Sequence, residues 1–404
     1  MKKISWKRNL ACIWIGQLLA MAGTSMVLPF IPLFLREKLG IAAEAQRAMA
    51  VSMFYSVGMF SFCLSNPIWG ALGDRYGRKL MLLRAYFFTA LTFPAMYFMP
   101  TWGSLIVMRF FASMFSGTVA AAQALVAVTT PDKHQGFALG TLSTAFWSGN
   151  MLGMVAGGVV VHYCGYMSAF LACGGAFLIA GIMTLLLVEE NFVPPLKKLA
   201  VKNGARRWKL ALPDFSFGVW VLLGLFFILP LARRCDEPFL ALLVELISGE
   251  EKAALNTGWV TALAAAGGIL SGVFFGYMSD RCKPLQLAIP ALAAAGVFMI
   301  IQSTAQSLLV LGMTRFLVFF AAGGLEPIFL AMLSQTVDPA KRGSAFGWTA
   351  SSRVFGGMFG ALIGGAVIAW LGTRGVFAFG GILMLLLIPI LIGAFKLIKR
   401  SKRS

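Results

Sequence analysis

Acidic residues are scarce in this chain: 15 Asp and Glu stand against 34 Lys and Arg, and charged residues make up only 12% of 404 positions. A water-soluble fold of this length needs far more polar surface, so a soluble globular class is excluded. Histidine is nearly absent, with only His134 and His162. The six cysteines (Cys12, Cys63, Cys164, Cys173, Cys235, Cys282) lie singly, without a CxxC pair or metal-ligand spacing to those histidines. They read as small apolar packing residues, and neither a metal nor another cofactor is expected. No Gly-Lys dipeptide occurs, which removes a Walker A loop and with it an ATP-driven pump. HExxH and GxSxG are also missing, so an enzyme is not expected. The apolar runs lack the alternation of an outer-membrane barrel.

What is present is hydrophobic length. Apolar residues account for 59% of the chain, with 35 Phe and 21 Met. About 20 consecutive apolar residues span a bilayer. Twelve runs qualify, at roughly 10–35, 48–69, 79–99, 103–128, 137–162, 166–188, 217–247, 257–278, 284–303, 306–335, 344–370 and 374–396. The expected fold class is therefore an all-α membrane protein with twelve transmembrane helices. The first run follows MKKISWKRNL and continues to Leu35, too long for the core of a signal peptide, so it reads as a retained helix.

Charge placement orients the helices. With the N-terminus in the cytoplasm, the N-tail, the even-numbered loops and the C-tail hold 24 of the 34 Lys and Arg. The opposite loops hold five (Arg36, Lys38, Arg47, Lys252, Arg374), and five fall within helices (Arg109, Arg233, Arg234, Arg315, Arg353). This is the positive-inside pattern for both ends in the cytoplasm. The formal net charge of +19 is thus a topological signal. Without a folded polar face to carry it, nucleic-acid binding is not expected, although basic tails can touch anionic lipid head groups.

The chain repeats itself. Asp74-Arg75 recurs as Asp280-Arg281 and Arg109-Phe110 as Arg315-Phe316, both at an offset of 206. Gly149, Gly153, Gly157 and Gly158 return as Gly356, Gly360, Gly364 and Gly365 at 207, and Pro29-Phe30 as Pro238-Phe239 at 209. Near-constant offsets mark a duplicated unit. Two six-helix pseudo-symmetric halves are expected, residues 1–188 and 217–404, joined by a cytoplasmic linker over 189–216 that carries Pro194-Pro195 and a basic run. Such halves are the plan of alternating-access transporters. Glycines four apart give each half a flat helix face for close packing.

The loop after the second run reads GALGDRYGRK, Gly70 to Lys79. Gly70 allows two helices to approach, Asp74 can cap a neighbouring helix, and Arg75, Arg78 and Lys79 hold the loop at the cytoplasmic face. With Gly77, these residues resemble the loop motif of the major facilitator superfamily. LIVMRFFASMFSG resembles that family's membrane arginine motif through Arg109 and Gly117. GNMLGMVAGG is similar to its glycine-rich antiporter motif, with Met154 where that pattern has proline. SWKRNL, PFIPLF, GRKLMLLR and GFALGTLST look like the twelve-helix, proton-driven multidrug efflux branch. The resemblance covers essentially the whole chain. It implies a bacterial inner-membrane transporter that exports small molecules against an inward proton gradient, with the Gly70–Lys79 loop as a latch between halves. A monomer is expected.

One stretch resists a purely apolar reading. LARRCDEPF places Arg233, Arg234, Asp236 and Glu237 inside the seventh run. On a continuous helix the two arginines reach the acids at i+3 and i+4, which makes the cluster self-compensating near the outer mouth. Alternatively, four intramembrane charges imply a wet, protein-lined site. Glu326 and Arg353 add charge to the same half. Glu326 lies between Gly323-Gly324 and Pro327 with no neighbouring cation in sequence, which makes it the preferred proton carrier, ahead of Asp236 and Glu237. Arg109 either snorkels at shallow depth or faces a wet cavity. The Phe and Met content suits a broad drug pocket. The arginines Arg233, Arg234 and Arg353 suit instead a specific transporter of a charged metabolite or siderophore.

Overall fold

The computed structural model describes residues 5–192, 215–279, 281–337 and 342–401, and within them the chain is helical, without a strand. Most of the expected linker (193–214) and Asp280 lie outside the described residues. The first half runs α1 (Trp6–Val27), α2 (Ile31–Glu37), α3 (Glu44–Tyr76), α4 (Arg78–Tyr97), α5 (Trp102–Met114), α6 (Thr118–Thr129) and α7 (Gln135–Leu187). The second runs α8 (Phe217–Arg234), α9 (Leu240–Ser248), α10 (Ala253–Ser279), α11 (Pro284–Ser303), α12 (Leu308–Gly323), α13 (Leu325–Thr336) and α14 (Arg342–Ser401).

Among the described residues, ten segments are long and apolar enough to cross a membrane. Two of them, within α7 and α14, are 53 and 49 residues long. At about 1.5 Å per residue each exceeds twice the roughly 30 Å of a bilayer core. Both break at a glycine with positive φ, Gly165 (77°) and Gly372 (71°), a conformation that side chains with a Cβ avoid. Each is therefore two crossings, and the twelve expected spans follow. The outer surface is apolar, with Leu186 72% and Trp370 88% exposed, as a lipid-facing surface requires.

The paired breaks show the duplication. Pro29 and Pro238 each start a single turn of 3-10 helix, Leu28–Phe30 and Glu237–Phe239, that separates α1 from α2 and α8 from α9. Proline lacks the amide donor and clashes with the preceding turn, so a helix ends there. The expected continuous seventh helix over 217–247 is accordingly two helices with a bend at Cys235-Asp236.

Glycines set the closest packing. A Cβ on Gly149 would lie 2.5 Å from the Leu18 carbonyl oxygen, and one on Gly157 2.6 Å from Met26 Cα. Gly153 meets Ala22 in the same way, so α7 lies on α1 backbone to backbone. In the second half Gly356, Gly360 and Gly364 face Phe227, Leu231 and Cys235, bringing α14 onto α8. The fourth glycine of each set points elsewhere. Gly158 meets Ala254 and Gly258 of α10, and Gly365 meets Ser52 of α3. Three glycines thus hold each half together, and one joins it to the other half.

Candidate functional site

The halves meet along α3 with α14 and α7 with α10. At the end of the bundle far from the N-terminus the join is ionic. Glu245 of α9 is ion-paired to Arg36 of α2 and to Arg47 of α3, the latter at 3.1 Å, and Arg36 also reaches Glu250 at 3.0 Å. The Arg36, Arg47 and Glu245 side chains are only 9–13% exposed. Glu44 accepts from the backbone amide of Thr373 at 2.7 Å and from its hydroxyl. Nearer the middle, Ser56 donates to the Met358 carbonyl at 3.1 Å. The described hydrogen bonds between the halves lie at this end and near the middle.

Below this seam lies a cavity of about 350 Å³ that draws on both halves: Met21 and Thr24 of α1, Leu28 of the turn after it, Phe62 of α3, Phe93 of α4, Arg109 of α5, and Arg234 and Val354 from the second half. Arg109 therefore faces a cavity, the second of its two expected settings. Its guanidinium rests on Phe54, 4.8 Å from the ring centroid, and its Nε is buried without a hydrogen-bond partner. A Cβ on Gly58 would fall 2.6 Å from that nitrogen, so glycine there makes room for the side chain.

The charged stretch of the seventh span does not pair as a continuous helix would. Because α8 ends at Arg234, Asp236 turns away from both neighbouring arginines. It is fully buried and forms an ion pair with Arg315 of α12, itself 2% exposed. Arg315 also donates to Gln302 Oε1 at 3.3 Å. Asp236 Oδ1 has no partner. Only Arg234 and Glu237 keep the expected i,i+3 relation, at 4.0 Å and about half exposed. Arg233 lies 5.3 Å from the Phe319 ring centroid. The cluster is therefore not self-compensating, and Arg315, known from the sequence only as the repeat of Arg109, is its missing member.

Glu326 is not without a cation. Arg353 of α14 reaches it at 3.0 Å, with side chains 39% and 24% exposed respectively. Glu326 is separated from cations in sequence, but the ion pair with Arg353 of α14 cancels that separation in the fold.

The Gly70–Lys79 loop also differs from expectation. Nothing lies within 4 Å of a Cβ built on Gly70. It borders a cavity of about 230 Å³ with Trp69, Gly73 and Arg84, so no helix approaches it in this conformation. Gly77 has φ +100°, and a Cβ there would lie 3.1 Å from Glu190 Oε2. Glu190 accepts from the amides of Arg78 (3.0 Å) and Lys79 (2.8 Å), a carboxylate on the positive end of α4. That capping role was expected of Asp74, whose side chain lies outside the described residues. Arg75 stacks over Tyr76 at 5.3 Å, and Lys79 Nζ donates to the Leu185 carbonyl at 2.9 Å. No group of His, Cys, Asp and Glu among the described residues could hold a metal ion.

A family model described as Major Facilitator Superfamily matches residues 13–246 and 239–404. The multi-drug resistance efflux pump PmrA of Streptococcus pneumoniae is 31% identical over 380 residues, covering 93% of each chain. The multidrug resistance protein MdtG of Klebsiella pneumoniae is 32% identical over 375 residues, 93% of this chain and 90% of that one. A crystal structure of a D-xylose-proton symporter superposes with a TM-score of 0.74 over 95% of this chain and 96% of that one, at 12% identity, a likeness of fold.

Proposed function

This chain belongs to the Major Facilitator Superfamily, and on that footing we propose that it exports amphipathic small molecules across a bacterial inner membrane in exchange for protons. Both termini then lie in the cytoplasm, the Glu245 seam faces outward, and the central cavity takes substrate from the inside. The names of PmrA and MdtG support a multidrug range; the Phe and Met side chains of the cavity, beside two arginines and several hydroxyls, suit such a range.

The observation that carries the coupling is Asp236, fully buried, with one oxygen on Arg315 and the other unpartnered. A proton arriving at Oδ1 neutralises the carboxylate and leaves Arg315 buried without its countercharge. A buried cation so exposed is costly, and for a proton taken up from outside in the outward-open state that cost favours a rearrangement of α8 and α12 back toward the inward-open state. Release of the proton to the cytoplasm restores the pair, and the substrate-loaded form then returns outward. Glu326 with Arg353, and Glu237 with Arg234, supply further carboxylates in the same half for the proton's path. Arg75, Arg78 and Lys79, with Gly70 and Asp74, form the cytoplasmic latch that closes when the outer seam opens.

The test uses everted vesicles, a pH-sensitive dye and a panel of amphipathic dyes. Asp236→Asn should stop gradient-driven accumulation while leaving exchange of preloaded dye in both directions. Accumulation by Asp236→Asn with normal pH dependence would assign the proton to Glu326 or Glu237. Absence of any dye movement by the wild type at normal expression would remove the transport reading itself.

A further inference from the structure

We infer that the central cavity is selective for amphipathic anions, a small organic acid whose carboxylate sits on Arg109 and whose apolar body lies among Met21, Phe62 and Phe93. The inference rests on the transport reading above and narrows it to a substrate class.

The argument is a count of charges around the cavity. Five arginines occur within the membrane-spanning segments at this level: Arg109, Arg233, Arg234, Arg315 and Arg353. Three carboxylates pair with them. Asp236 takes Arg315, Glu326 takes Arg353 at 3.0 Å, and Glu237 takes Arg234 at 4.0 Å. Arg109 and Arg233 remain without an ion pair among the described residues. Each lies instead over a phenylalanine face, Phe54 at 4.8 Å and Phe319 at 5.3 Å. A ring face offers a cation a partial countercharge but no hydrogen-bond acceptor.

Arg109 is the one of the two that lines the cavity, and no Asp or Glu lines it with Arg109. Its position is built: Phe54 supports one side, and Gly58 opens the space for its Nε. Arg234, whose carboxylate partner is half exposed, adds a second cation to the lining from the other half. Such a lining repels a lipophilic cation and satisfies an acid with a charge-assisted hydrogen bond. Thr24, Ser113 and Thr118 offer further hydroxyl donors. The remaining lining is apolar and aromatic, which fits the body of an amphipath and gives tolerance of shape.

The test is equilibrium binding to the purified full-length protein in detergent, with three probes of one shape: 1-naphthylacetate, its neutral amide, and the matching naphthylethylammonium. Naphthylacetate should bind about tenfold more tightly than the amide and more tightly still than the ammonium. Arg109→Gln should bring the three within about twofold, and Arg109→Lys should retain part of the preference. Arg233→Gln, which does not alter the cavity wall, should keep the preference and controls for general damage to the fold. Equal or tighter binding of the amide or ammonium, or a preference that survives Arg109→Gln, overturns the inference. So does absence of naphthylacetate binding. Dye transport in everted vesicles, measured separately, decides the transport reading, so that a wild type that moves dyes without preferring the acid loses this inference alone.

Discussion

Arg109 and Arg315 occupy equivalent places in the two halves, yet only Arg315 has a countercharge. Two substitutions between the halves explain the contrast. The repeat offset of 209 sets Val27 opposite Asp236, and the offset of 206 sets Met96 opposite Gln302. The second half thus surrounds its arginine with an acid and an amide, 0% exposed each, and closes over it. The first half surrounds its arginine with a phenylalanine, a glycine and open space. One scaffold carries two sites, a sealed ion pair suited to holding a proton and an open cation suited to holding a ligand. The sequence repeat sets both positions in register, and two side chains distinguish them.

The contrast is broken most severely at Asp236. Asp236→Ala leaves Arg315 buried and unpaired and should lower unfolding free energy by about 3–5 kcal/mol. Arg109→Ala, which removes a cation that has no partner to strand, should cost less than about 1 kcal/mol. Thermal unfolding in detergent checks both, and equal losses would end the comparison. Val27→Asp sharpens it by giving the first half the acid of the second. It should lower naphthylacetate affinity about tenfold with little change in thermal stability, read by the binding titration.

Glu245→Gln comes next, because a single carboxylate is shared by Arg36 and Arg47 at the seam. The open outer state should gain about tenfold in population, seen as faster labelling of a Thr24→Cys variant by an impermeant thiol reagent added outside. Gly70→Leu should have the smallest effect on the fold, within about 0.5 kcal/mol, since its Cβ meets open space. The same leucine should halt turnover in vesicles, because the latch needs that space when the cytoplasmic end closes.

The fold was legible because a bilayer imposes length and apolarity on each helix, whereas the breaks at Pro29 and Pro238 lay unread inside continuous apolar runs. The candidate site was legible in part. Arg109, Arg234 and Asp236 stood out as intramembrane charges, but their partners did not follow from spacing. Helical spacing relates residues three or four apart, whereas Asp236 pairs with Arg315 79 positions away, and Glu326 with Arg353 across two helices. The bend at Cys235 removed the local pairings that spacing implied, save that of Arg234 with Glu237. Arg315 carried one signal, its place in the repeat beside Arg109. Glu190 carried none beyond being an acid where a helix ends, since its use depends on the fold returning it to the start of α4.

In the proposed orientation, the Glu245 seam has a consequence for the cell as a whole. A membrane that stores energy as a proton gradient is a charged capacitor, and every protein through it is a place where the insulation can fail. Glu245 with Arg36 and Arg47, 9–13% exposed, closes one end of a cavity that holds bare cations. A transporter whose seam stayed loose while its cytoplasmic end stood open would short that capacitor in the absence of any substrate. Damage at Glu245 should then register first as slow growth on substrate-free medium, a toxic gain rather than a missing activity, and growth curves of cells expressing Glu245→Gln against Asp236→Asn would separate the two kinds of failure.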